Sequence, residues 1–155
     1  MDLCGPLPEA SLGGSLYFLL LVDDYSRFCW GFFLQQKSEA FRSFSQWFPL
    51  AQNESGHTLK TLRSDKGGEF TSHDMSQFCS QHGIQQEFAN TSTPSENGVV
   101  ERKNKTILEM ARSMLTHHSL SPSLWAEVVA IDVHVFNRSP TQAVLQRTPF
   151  EAYFG

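Results

Sequence analysis

The sequence predicts one α/β domain over residues 1–155: a mixed sheet with helices against it, in the order β-β-β-α-β-α-β-α-α. Three observations carry this. Apolar runs of strand length alternate, from residue 38 onward, with segments whose apolar residues recur at helical spacing. The 155 residues are 40% hydrophobic and include 13 Phe, enough for a two- or three-layer core. Only 18% are charged, which excludes the composition of a disordered chain. No apolar run approaches the ~18 residues of a membrane-spanning helix, so no membrane partner is expected.

The elements follow in order. Asp2 falls in the first strand, which the chain enters in mid-strand, after Met1. Gly5-Pro6 and Gly13-Gly14 bracket a turn-rich stretch, and residues 15–22 are then continuously apolar, as in a strand buried on both faces. A polar break at 23–27 and a second apolar run at 28–34 complete an antiparallel hairpin. Phe41, Phe44 and Phe48 share one helix face, with Ser38 as the expected N-cap and Pro49 as the expected stop or kink. Residues 58–63 form a strand running into Asp65-Lys66-Gly67-Gly68.

Met75, Phe78 and Cys79 mark a second helix, with a capping box expected at Thr71 to Asp74 and Gly83 at C′. A strand at 84–88 and a polar loop at 89–98 lead into a long helix over about 99–115. A last helix starts at Ser121-Pro122, where Pro suits the first helical position.

Charge and cysteine usage narrow the chemistry. A net charge of −4 and a pI near 5.8 exclude a uniformly basic nucleic-acid binder. They leave a local basic patch, or a carboxylate site that needs divalent metal. Cys4, Cys29 and Cys79 are odd in number and far apart, which excludes a zinc knuckle and a disulfide framework. The histidines have no ligand-like spacing with cysteine. Among the acids, Asp65 sits at a strand end beside a Gly-Gly turn, and Glu101 lies in the first turn of the long helix. Converging carboxylates of this kind bind the hard cations used in phosphoryl transfer. Asp23 and Asp24 fit a turn between strands, and Glu69 fits support of the Gly-Gly loop.

Residues 63–70 (Arg-Ser-Asp-Lys-Gly-Gly-Glu-Phe) and 93–104 (Thr-Pro-Ser-Glu-Asn-Gly-Val-Val-Glu-Arg-Lys-Asn) resemble the core of a retroviral-type integrase. The resemblance is narrower still to the Ty1/copia class of LTR retrotransposons. Thirty-five residues separate Asp65 from Glu101, the spacing of the D,D-35-E family. Residues 22–27, 137–141 and 148–153 resemble copia-class signatures too, so the match runs along essentially the whole chain.

That resemblance implies a ribonuclease H-like fold with a five-stranded mixed sheet flanked by helices. It implies Asp2, Asp65 and Glu101 as the catalytic triad and as ligands of two Mg²⁺ or Mn²⁺ ions, with Asp65 bridging them. It implies two-step polynucleotidyl transfer: processing of retrotransposon DNA 3′ ends, then joining to double-stranded target DNA. A homo-oligomer and a nuclear location follow from that substrate. The chain then corresponds to a catalytic core with strand one truncated and without the zinc-binding and C-terminal domains.

Lys66, Asn97, Arg102 and Lys105 are the nucleic-acid-binding candidates. Lys66 stands where integrases often carry Asn, and it either meets phosphate or weakens metal binding by repulsion. Lys105 shares a helix face with Glu101, and the basic run is equally a solvated surface. A competing reading is a non-catalytic, integrase-derived remnant that binds nucleic acid or a partner. A ribonuclease H proper shares the chemistry but leaves the 97–102 helix entry without a role.

Overall fold

A computed structural model describes residues 1–89 and 98–155. Strands β1 (Asp2–Cys4), β2 (Tyr17–Val22) and β3 (Cys29–Leu34) form an antiparallel ladder in the order β1-β2-β3, with Asp2 opposite Leu20 and Leu19 opposite Phe32. Strands β4 (Thr61–Ser64) and β5 (Gln85–Phe88) form a separate parallel pair. The expected five-stranded sheet is thus found as ladders of three and two strands. They meet where the Met1 ammonium donates to the Arg63 carbonyl. The reason is length: β1 covers three residues and comes alongside β4 only at Met1.

The apolar run of β2 explains the layering. Successive strand side chains point to opposite faces, and β2 divides its residues accordingly. Leu19 and Leu21 join a core with Phe44, Phe48, Phe70 and Met75. Phe18 and Leu20 join a second core with Val100, Ile107, Trp125 and Val129. Helices α1 (Glu39–Ser55) and α2 (His73–Gln81) supply the first layer; α3 (Gly98–His117) and α4 (Trp125–Arg138) supply the other. Asn137 fastens α4 to the edge strand. Its Oδ1 accepts the Cys29 N–H and its Nδ2 donates to the Cys29 carbonyl, both at 2.8 Å.

Several local expectations are corrected. Helix α1 runs through Pro49 to Ser55. A Pro inside a helix costs about 3 kcal/mol, but Phe44 and Phe48 before it pack into the core, and Ala51 after it is buried and bonded through its carbonyl to the Tyr153 hydroxyl. Ser38 makes no cap bond; Glu39 reaches back instead and accepts the N–H groups of Gln35 (2.7 Å) and Gln36 (3.3 Å). Ser72, rather than Thr71, caps α2, through the Met75 N–H.

The reciprocal capping box belongs to a helix the pattern did not announce, α5 (Pro149–Phe154). There Thr148 and Glu151 satisfy each other's backbone N–H groups. Ser121-Pro122 does start a helical segment, but its first turn, Pro122–Leu124, is a 3-10 helix leading into α4.

Candidate active site

The fold brings Asp2 and Asp65 within electrostatic reach of each other. Asp2 is half-buried on β1, where its Oδ2 accepts a hydrogen bond from Nδ2 of Asn104 at 2.8 Å. Burial raises the Asp2 pKa above its ordinary value. The Asn104 hydrogen bond opposes that rise and the charge of Asp65 adds to it. Asp65 follows β4 directly and is exposed, with Oδ1 accepting the Gly67 N–H at 2.9 Å. A side chain at Gly67 would crowd the ends of both acids in this turn. A Cβ at Gly67 would lie 3.0 Å from Asp65 Oδ1 and 2.9 Å from Cδ of Glu69. Glu69 thus leans on the loop, as its position suggested.

The other candidates are placed less centrally. Glu101 is exposed in the first turn of α3. Among the described residues no three His, Cys, Asp or Glu side chains stand close enough to share an ion. Converging carboxylates repel one another, and a cation between them offsets that cost. Lys66 is exposed beside Asp65, and Arg102 folds back until its Nη1 lies 2.8 Å from where a Cβ of Gly98 would be. Lys105 Nζ is 3.9 Å from Glu109 in a solvent-exposed pair of the kind that contributes little. Asn97 lies outside the described residues.

Asp23 and Asp24 take structural roles. Asp23 Oδ2 accepts the Ser26 N–H and hydroxyl at 2.7 and 2.6 Å, closing the β2–β3 turn. Asp24 pairs with Arg27 and with Arg63, whose guanidinium also holds Glu87 at 3.0 Å. The three cysteines are free. Burial pushes the Cys29 thiol up to about 11, far from a reactive thiolate at neutral pH.

Asn104 is the site residue that sequence reasoning missed. It is 2% exposed, and its Oδ1 is buried with no hydrogen-bond partner among the described residues. An orphaned buried acceptor costs about 1–3 kcal/mol. The signal was present: Val100, Asn104, Ile107 and Ala111 form one buried stripe, and a single polar residue interrupts it.

Oxygen donors in this arrangement suit a hard divalent cation. The charge of Asp65 adds to the cost of ionising the half-buried Asp2, and a divalent ion held between them would offset that cost. Asp2 and Asp65 therefore fit the group, and Glu101 is one helical turn before Asn104 on the adjoining surface of α3.

Comparison with known proteins defines the class. The family model described as "Integrase core domain" matches residues 1–94. The chain is 44% identical over 140 residues to the retrovirus-related Pol polyprotein from transposon TNT 1-94 of Nicotiana tabacum, covering 90% of this chain and 10% of that protein. It is 34% identical over 148 residues to the corresponding polyprotein from transposon RE2 of Arabidopsis thaliana, covering 96% and 10%. The chain thus spans about a tenth of these relatives.

Among solved structures, the HTLV-2 integrase catalytic core domain in complex with magnesium (trimeric form) matches with a TM-score of 0.64 at 17% identity, covering 98% of this chain and 95% of that one. The simian T-cell lymphotropic virus intasome in complex with PP2A regulatory subunit B56 gamma matches with a TM-score of 0.72 at 16% identity, covering 99% and 54%. The fold is that of an integrase catalytic core, ribonuclease H-like.

The chain belongs to the integrase core family. Within it, the similarity is to the Pol polyproteins of plant retrotransposons, in keeping with the copia-class motifs.

Proposed function

We propose that residues 1–155 form the catalytic core of a polynucleotidyl transferase that processes retrotransposon DNA 3′ ends and joins them to target DNA. The observation that carries this reading is the meeting of a half-buried Asp2 with Asp65 at adjoining strand ends, where the charge of Asp65 adds to the cost of ionising Asp2. Asp2 and Asp65 would hold a divalent ion, Mg²⁺ or Mn²⁺, and Glu101 would complete a two-ion site. Bound there, the ions stabilise charge on the transferring phosphoryl group.

In the first step water attacks a phosphodiester and the 3′-oxygen leaves. In the second, that 3′-hydroxyl attacks a target phosphodiester and displaces the target strand's 3′-oxygen. The chain's own part is positioning: Gly67 N–H holds Asp65, and Asn104 holds Asp2. Lys66, Asn97, Arg102 and Lys105 would meet DNA phosphates, which position without specifying sequence. Joining two DNA ends calls for a homo-oligomer, and the substrate places the protein in the nucleus.

The test is strand transfer with Mn²⁺ on the chain and on its Asp65→Asn variant, with thermal melts of both. The variant should fold, lose all strand transfer and lose any Mn²⁺-induced rise in Tm; full activity in it would refute the assignment. A non-catalytic remnant is the second reading. It is favoured by the absence, among the described residues, of a closed three-ligand cluster.

A further inference from the structure

We infer that Asn104 is a positioning residue for Asp2, its amide fixing which carboxylate oxygen of Asp2 stays open toward Asp65. The inference rests on the reading above, in which Asp2 and Asp65 hold a divalent cation. Three features of the geometry support it.

First, the position is an apolar one. Asn104 lies on the stripe that α3 buries against β1 and β2, beside Val100 and Ile107, and an aliphatic side chain would suit it. Second, the amide is used on one side alone: Nδ2 donates to Asp2 Oδ2 at 2.8 Å while Oδ1 is buried without a donor among the described residues. The reverse amide orientation would set Oδ1 against an ionised Asp2, acceptor facing acceptor, so the donor must face the carboxylate.

Third, the bond reaches across 102 residues of sequence to join β1 to the helix that carries Glu101 one turn earlier. The first and third acids are thereby linked through one amide. With Oδ2 engaged by Asn104, Oδ1 is the oxygen left to Asp2 for a ligand. Groups that orient a ligating side chain in this way are typically worth 10–100-fold in metal affinity.

The test titrates Mn²⁺ into the 155-residue chain and follows the free ion by electron paramagnetic resonance, with metal-free melts alongside. The variants are Asn104→Leu, Asn104→Ala and Asp65→Asn. Asn104→Leu trades an orphaned acceptor for an Asp2 Oδ2 that has lost its donor, so its metal-free melt should stay near the wild-type temperature, yet its Mn²⁺ dissociation constant should rise 10–100-fold. Asn104→Ala leaves a small cavity and should melt lower, with the same loss of affinity.

Loss of Mn²⁺ affinity in Asn104→Leu with the metal-free melt kept near that of wild type is a result that a purely structural tie does not produce. Either Asn104 variant, folded and binding Mn²⁺ as tightly as wild type, overturns the positioning role while a weakened Asp65→Asn leaves the carboxylate site standing. A wild type that binds no Mn²⁺, or an Asp65→Asn variant that binds it unchanged, overturns the carboxylate site and the role of Asn104 with it.

Discussion

Replacing Asp132 by Ala should make this protein more stable. Asp132 lies on α4 with 2% of its surface exposed, and its Oδ2 has no hydrogen-bond partner among the described residues. Its neighbours in the helix, Val128, Val129 and Val133, are all in the core. Burial raises its pKa, with no cation acting to lower it. A buried polar atom without a partner costs about 1–3 kcal/mol, and more when charged. Ala also gains roughly 0.5 kcal/mol over Asp in helix propensity.

The carboxylate is covered but shallow, which sets the expectation at about 1–3 kcal/mol at pH 7. For a domain of this size that is a Tm rise of roughly 2–12 °C. Urea unfolding followed by tryptophan fluorescence gives the free energy directly, and the m-value should not change.

The pH dependence isolates the charge. Above the ordinary Asp range the unfolded chain has lost its proton while folded Asp132 still holds one, so stability falls as pH rises toward the elevated folded pKa. Below that range both states are protonated and the penalty vanishes. Asp132→Asn, nearly isosteric, should therefore match wild type in acid and exceed it at neutral pH. Parallel profiles for the two, or an Asp132→Ala variant no more stable than wild type at pH 7, would refute the reasoning.

Two further outcomes follow from the packing and the caps. Asn137→Ala strips both hydrogen bonds from the Cys29 backbone, and should lower stability by about 2–3 kcal/mol in urea unfolding. Glu151 accepts from the Thr148 N–H and hydroxyl, which holds its pKa below the usual value. The α5 cap is therefore intact above the ordinary Glu range and is lost as pH falls through the lowered pKa. Protection of the Glu151 and Ala152 amides from hydrogen exchange, taken relative to the intrinsic rate at each pH, should fall in acid, and in Glu151→Gln it should lose that dependence.

The layering was legible in the sequence because β2 carries apolar residues at every position, which a strand uses only when both faces are covered. Asp65 was legible because a strand end, a Gly-Gly turn and a fixed distance to Glu101 are local facts. Other features depended on tertiary contacts that sequence periodicity does not carry. Pro49 stays helical with α1 anchored on both sides of it, by Phe44 and Phe48 in the core and by Ala51 under Tyr153. Helix α5, six residues long, is held by its capping box and by Tyr153, whose hydroxyl donates to the Ala51 carbonyl of α1. Asn104 was visible only as a polar break in an apolar stripe, and its partner lies 102 residues away. The relation of Glu101 to the two aspartates depends on where α3 lies against β1, and no spacing rule supplies that geometry.

Asp2 belongs to the antiparallel ladder and Asp65 follows the parallel one, so the carboxylate pair straddles a seam between two separately bonded halves. Strand pairing fixes distances within each half. Across the seam the separation of the two acids is set by softer agents: the Met1–Arg63 contact, the Arg63–Asp24 ion pair and the apolar layer beneath them. Shear between the halves would therefore change the separation of the two acids with neither ladder broken. A substitution in that layer, far from either acid, would act on the same distance.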